Sequence, residues 1–499
     1  MNTTSFADDL AARTGSVLDG QLTDFLSRRD GRLLLGHDID LSGMVARYGA
    51  PLEVAFCPQI KRQVHQMVAW AAAARTVTGY PGEFVYAYAT KANFAEEVVR
   101  TALAAGAHYE TSATADVTIA HQLWRAGTLP GDRLMFCNGS KDEAYLDAVV
   151  ALAEAGYEQL IPVIDSLDEL DGLLRRSRVP LKLGVRERHP ASVVDAGHLG
   201  GERFGLLPHE IAIAAARIAA TPHTLVAYHA MVGSQLEDLD GWMTRLDRSA
   251  QAYASLRVQV PALSIFNFGG GMPTSAYTLD FAFDYQQALE RMMQIVAAAC
   301  AAADVPAPVL AGEFGRYTVA SHSVYLIEVG ATKPGQGDAP DWYLVNSSMM
   351  VTLPDMLFVE GQQFIVLPLG GWDLPAHAVR LGGRYTCDSD DYFPPASQPP
   401  LQLPASGAGT ILAIFGIGAY QQMIAGRGGA HHCLMPEMRR IIIEQDDDAY
   451  VVREVVPQSL DTIKGALGYV QPTIEIPAGT APARGPRRAA TVFRTTVRR

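Results

Sequence analysis

Lys91 closes the run "YAYATK" (86–91), a stretch whose other residues read as a buried strand. An amine in an apolar setting loses its proton more readily, and a free lysine amine forms a Schiff base with a carbonyl compound. The run Gly269, Gly270 and Gly271 in "NFGGG" lets backbone N–H groups approach a phosphate closely. Ser234 in "GSQ" and Arg316 in "EFGR" are candidate side-chain donors to the same phosphate. Glu313, also in "EFGR", can hold a pyridine nitrogen protonated and so strengthen that ring as an electron sink. Singly these features are commonplace: a solvated lysine, a turn, a surface ion pair. Together they are what pyridoxal 5'-phosphate requires.

Such residues need a scaffold that gathers them on one side. Eight short apolar runs can be read as strands: 83–91, 108–113, 133–138, 159–165, 180–187, 225–233, 264–271 and 309–316. Ala-rich stretches with helical spacing lie between them, among them 94–106, 142–156 and 283–303. Strand and helix in alternation favour parallel pairing, and eight strands are the number of a closed (β/α)8 TIM-type barrel. In that fold, chemistry sits at the C-terminal strand ends, where Lys91, Glu110, Asn138, Arg186, Ser234, the three glycines and Glu313 all fall.

After residue 320 strands follow one another with turn-rich connections, which predicts a C-terminal β-rich domain. The expected organisation is an N-terminal segment 1–49, a barrel 50–325, a β domain 326–475 and a tail 476–499. The N-terminal segment, including "GRLLLGHDID", is expected to lend a strand to the β domain.

Composition narrows the function. With 499 residues, 48% hydrophobic and 19% charged, the chain can bury a large core. A net charge of −13 argues against nucleic acid as a partner, and the arginine-rich stretch 484–499 reads as a solvated tail. The first residues lack the pattern of a secretory signal and no apolar run is long enough to cross a membrane, so a cytoplasmic protein is expected. Five cysteines without metal-type spacing suit reduced thiols, and no metal site is expected.

In this setting the motifs "YATKAN", "FCNGSKDEAYL", "LGVRER", "RFGL", "GSQ", "GGG" and "EFGR", in order, resemble those of the barrel-type (alanine racemase-like) pyridoxal-phosphate decarboxylases of basic amino acids. Within that family, "LVNSSMMVTLPD", "TCDSDD" and "GAYQQM" are similar to segments of the biosynthetic arginine decarboxylases. The resemblance implies that Lys91 carries the cofactor and Glu313 pairs with its ring nitrogen. Ser234, Gly269–Gly271 and Arg316 would hold the phosphate, and Tyr420 would reach the cofactor. It further implies a homodimer with shared active sites, across which Cys387 protonates the product carbon and Asp388 meets the amino acid substrate. Asp390 is a candidate partner for a guanidinium or ammonium group, because a planar guanidinium suits bidentate pairing with a carboxylate.

The chain departs from the family where a cofactor-stacking histidine is replaced by Met231 and where the residue before "FGGG", usually an acid, is Asn267. His229 lies one pleat before Met231 on the same face. Three readings follow. The first is decarboxylation of arginine or a close basic amino acid. The second keeps the cofactor and changes the substrate to another or a modified amino acid, and the third is a catalytically inactive regulatory homologue.

Overall fold

The structure, a computed structural model, describes residues 4–15, 19–189, 203–231, 233–359, 361–385, 388–447 and 449–469. Eight parallel strands close into a barrel: Phe84–Ala89, His108–Thr111, Met135–Cys137, Leu160–Ile164, Lys182–Arg186, Thr224–His229, Ile265–Asn267 and Val309–Phe314. Seven fall inside the expected runs, and the sixth, Thr224–His229, begins one residue before its run of 225–233. The last pairs with the first, Leu310 to Phe84 through Phe314 to Tyr88, and this closes the barrel.

Side chains alternate across each strand, so a barrel needs small or branched residues pointing in and larger ones pointing out. Val85, Ala87, Phe136, Ile161, Val163, Ala227, Ile265 and Ala311 form a separate buried cluster that fills the interior. Tyr86 and Tyr88, one position out of phase, belong instead to the large core shared with the helices. The helices start and stop on local signals. Asp142 caps Glu143–Glu154 by accepting from the Tyr145 N–H at 2.9 Å. Pro58 opens Pro58–Thr78, and Gly79, at φ 66°, ends it in the left-handed region.

The second body is a ten-stranded sheet whose path runs from Tyr392–Phe393 through Ala376–Gly383, Asp341–Val345, Ser323–Lys333, Leu52–Phe56 and Arg439–Asp446 to Ala449–Val455. The strand Leu52–Phe56 is antiparallel to Ser323–Lys333 on one side and parallel to Arg439–Asp446 on the other. The early strand in this sheet is 52–56, which lies within the span expected for the barrel and not in the segment 1–49. "GRLLLGHDID" does not join the sheet. Arg32–Leu35 and Ile39–Asp40 pair with each other and with Leu26–Arg29 in a small sheet of their own. The cause is local: Asp30 and Gly31, at φ 51° and 75°, make a two-residue turn that pairs the flanking strands as a hairpin.

Barrel and sheet are tied by buried charge. Arg440 on the sheet pairs with Glu53 at 3.0 Å and with Glu97 on the barrel helix Glu96–Ala104. Ser323 donates to the same Glu53 at 3.0 Å. The two acids together outweigh burial and hold the Arg440 guanidinium charged.

Candidate active site

The site follows from continuing each inward-facing line of the barrel by one step. Above Ala227 the next inward residues are His229 and Met231; above Ile265, Asn267 and Gly269; above Ala311, Glu313; above Phe136, Asn138. The apolar plug thus ends under a ring of polar groups at the C-terminal mouth, and Glu110 joins it through its pairing with Ala89.

Glu313 is the hub of this ring. Its Oε1 accepts from Asn267 Nδ2 at 2.7 Å and from Asn138 Nδ2 at 2.9 Å, and its Oε2 lies 3.1 Å from His229 Nε2. Burial pushes its carboxyl up, but His229, Lys91 and Asn138 outweigh that and hold it down at about 2. Asn138 Nδ2 is shared with Glu110 Oε1, also at 2.9 Å. Glu110 takes the opposite course: burial, reinforced by the Glu313 charge, pushes it up to about 7 in spite of Lys91. Two neighbouring buried carboxyls are driven apart, one ionised and one that titrates near neutrality.

Lys91 sits in a short 3₁₀ turn directly after the first barrel strand, its side chain open to the cleft at the mouth. Its setting is not the apolar one expected from "YAYATK". The charge of Glu110 acts on it first and raises its ammonium above the ordinary lysine range, with Tyr420 and Glu313 adding and burial opposing. The reason is the parallel pairing of the first two barrel strands, which sets Glu110 opposite Ala89 and so beside Lys91.

The cleft has about 420 Å³ of empty space and is lined by Lys91, Met231, Ser234, Gly270, Gly271, Glu313, Arg316 and Tyr420, among others. Gly269 stands at its edge, its N–H bonded to Asn267 Oδ1 at 2.9 Å. Gly269 and Gly271 adopt φ 70° and 109°, and a Cβ on Gly271 would come within 2.9 Å of Leu236. A backbone cradle at this point admits only glycine. Met231 packs over it, with the Gly270 N–H 3.1 Å from its sulfur.

Arg316 opens the short helix that follows Glu313. Its Nη1 donates to Tyr277 Oη at 2.8 Å and to Asp355 Oδ2 at 3.0 Å, and its guanidinium lies 4.6 Å from the centre of the Tyr420 ring. Tyr420 belongs to the sheet body and reaches the barrel because its N–H donates to Ala92 O at 2.8 Å. Its φ of 67° is costly for a residue with a Cβ, and it falls at the cleft, where such strain is commonly kept for function.

Asp388 and Asp390 are absent from this cleft: Asp388 pairs with the exposed His432, and Asp390 is exposed. Cys387 lies outside the described residues. Asn138, Asn267, Glu110, Tyr277 and Asp355 complete the arrangement although they were not predicted as site residues. For Asn138 and Glu110 the signal was present, since both end barrel strands; Tyr277 and Asp355 gave none, being brought in by tertiary folding alone.

A pyridoxal group fits this constellation. Arg316 Nε, Glu110 Oε2 and His229 Nδ1 are buried with no partner among the described residues, so a polar ligand has groups to satisfy. A lysine facing the cleft, a glycine cradle with a hydroxyl and a guanidinium beside it, and a fixed carboxylate define a pyridoxal-binding barrel.

Residues 62–320, just over half of the chain, match the family described as pyridoxal-dependent decarboxylase, pyridoxal binding domain. The chain belongs to that family. It is 27% identical over 347 residues to arginine decarboxylase 1 of Oryza sativa subsp. japonica, covering 63% of this chain and 49% of that protein. It is 27% identical over 264 residues to the biosynthetic arginine decarboxylase of Deinococcus radiodurans, covering 50% and 40%. The chain thus spans half the length of these relatives or less. The fold is shared with the biosynthetic arginine decarboxylase of Campylobacter jejuni, at TM-score 0.77, 19% identity and 90% and 91% coverage. It is shared too with the diaminopimelate decarboxylase of M. jannaschi, at TM-score 0.72, 19% identity and 92% and 99% coverage.

Proposed function

We propose that this protein is a pyridoxal-phosphate-dependent decarboxylase that removes the α-carboxylate of arginine, or of a closely related basic amino acid, giving agmatine and CO2 from arginine. The observation that carries the reading is Glu313, a buried carboxylate fixed by three donors on the floor of a cleft that Lys91 and the glycine cradle also line. Arginine is favoured because relatives matched over half of the chain or more are arginine decarboxylases.

In this reading Lys91 is the covalent anchor and Glu313 the partner of the ring nitrogen. Ser234, Gly269, Gly270, Gly271 and Arg316 surround the phosphate, with Tyr420 beside it. When bound, the cofactor supplies the electron sink that makes loss of CO2 from an amino acid feasible. The chain's own residues set the charges. Glu313, held at about 2, stays a carboxylate at any working pH. Glu110 acts on Lys91: its charge, with those of Tyr420 and Glu313, holds the ammonium protonated, and that hold weakens when Glu110 takes up a proton near its value of about 7. Met231 packs against the cradle at Gly269 and Gly270.

The substrate side chain calls for a carboxylate that one chain does not offer here. Among the described residues lining the cleft Glu313 is the only acid, and it is already engaged. Asp388 and Asp390, with Cys387 as the proton donor to product, therefore act from a second copy, and the enzyme works as a cytoplasmic homodimer with shared sites. Among the described residues no helix is long and apolar enough to cross a membrane. Met231 and Asn267 favour, as a second reading, the same cofactor acting on another or a modified amino acid.

The test is absorbance of the purified protein with pyridoxal phosphate, followed by L-arginine with detection of CO2 and agmatine. A visible band lost in Lys91→Ala, with agmatine equal to CO2, is expected. A band without agmatine refutes the substrate, and no band refutes the cofactor assignment.

A further inference from the structure

A second cleft, with about 920 Å³ of empty space, opens between the N-terminal sheet, the helix Pro58–Thr78 and the loop that precedes Tyr285–Ala302. Five aromatic residues line it: Trp70, Phe281, Phe283, Tyr285 and Tyr317. Trp70 and Tyr285 stack at 4.6 Å with planes 14° apart; Phe283 and Tyr317 meet Tyr285 edge-on at 5.1 and 5.4 Å. All but Tyr317 are only partly buried, so ring faces remain uncovered. Aromatic rings gathered for packing alone would close on one another, since space beside them forfeits dispersion contacts.

One charged side chain lines the cleft, the carboxylate of Asp24. It accepts from Ser275 Oγ at 2.5 Å and from Gln63 Nε2 at 3.1 Å, which fixes its place. It has no ion-pair partner among the described residues, and no lysine, arginine or histidine lines the cleft. Burial and then the charges of Asp24 and Glu237 push the Tyr285 hydroxyl up, so the local field is negative. Ring faces are negative too, through their quadrupoles. The space is far too large for a bare metal ion, and the rings offer no lone pairs.

We propose that this cleft binds a small organic cation, an alkylammonium or guanidinium group held against the ring faces with Asp24 as its counter-charge. The site is separate from the barrel mouth and its chemistry does not rest on the substrate proposed there. Tyr317, however, lines both clefts and forms the wall between them.

The test is calorimetric titration of the full chain, loaded with pyridoxal phosphate so that the mouth is filled. The probes are choline, butylguanidinium and 3,3-dimethyl-1-butanol, the uncharged isostere of choline. Saturable binding of at least one cation, on the order of ten-fold tighter than the isostere and weakening with added salt, is expected. Trp70→Leu should weaken it about 2- to 30-fold, the range of a cation held over an aromatic face. Asp24→Asn, an exposed change that does not threaten folding, should weaken it on the order of ten-fold. Failure of both cations to bind, equal binding of the isostere, or full affinity in both variants would overturn the proposal.

Discussion

Replacing Glu110 by glutamine isolates the electrostatics of the candidate active site. The folded protein holds this carboxyl at about 7 against an ordinary value of 4.5. At about 1.36 kcal/mol per pKa unit, that gap is worth about 3 kcal/mol. The sign follows from proton binding. The folded state holds the Glu110 proton more tightly than the unfolded chain does, so its stability contribution is full below pH 4.5, falls as pH rises towards 7, and is flat beyond. Glu110→Gln removes the titration and keeps an acceptor for Asn138 Nδ2. Urea unfolding of the cofactor-free protein at pH 4.5 and 8, followed by circular dichroism, should therefore show the parent losing about 3 kcal/mol more than the variant between the two. The variant should also attach pyridoxal phosphate faster at pH 8, since the charge that holds Lys91 protonated is gone. Parallel stability curves for parent and variant would refute the assignment of the raised value to Glu110.

Other perturbations test separate parts. Glu313 contributes stability above pH 4.5 that is lost as pH falls towards 2, so Glu313→Gln should flatten the acid limb of the unfolding profile by about 3 kcal/mol. Gly271→Ala, at φ 109° and 2.9 Å from Leu236, should cost about 1–3 kcal/mol and weaken pyridoxal phosphate retention on dialysis. Arg440→Met takes the buried cation from Glu53 and Glu97 and leaves them only the more exposed Arg427 and Arg453, and should destabilise by about 3–5 kcal/mol, read in the same unfolding experiment.

The barrel was legible because each of its strands is a short apolar run closed by a polar residue, and the alternation of "VYAYATK" sorts core from mouth. Lys91, Glu313, Arg316, Ser234 and the glycines could be named for the same reason: they follow the strands that position them. What could not be read was proximity between lines of the barrel. That Glu110 acts on Lys91, or that Asn138 and Asn267 both donate to Glu313, depends on register between strands up to 175 positions apart. The environment of Lys91 was therefore expected to be apolar when a carboxylate dominates it. The small N-terminal sheet did leave a mark, since Asp30-Gly31 between "LSRR" and "RLLL" is a hairpin signal. Reading that segment as one strand bound for the β domain overlooked this turn.

The position of Leu52–Phe56 bears on how the chain comes to fold at all. This strand is made early, yet both its neighbours, Ser323–Lys333 and Arg439–Asp446, follow the entire barrel in the chain. During synthesis it must wait with unpaired backbone groups while the barrel forms behind it, and the sheet cannot close until the last of these strands has emerged. Cutting the chain between barrel and sheet would leave the sheet with a vacant slot flanked by two open edges, a template for self-association. What looks like two bodies in space is thus one unit in folding: the barrel can acquire its shape first, but the sheet that brings Tyr420 to the mouth completes only when the two ends of the chain are joined.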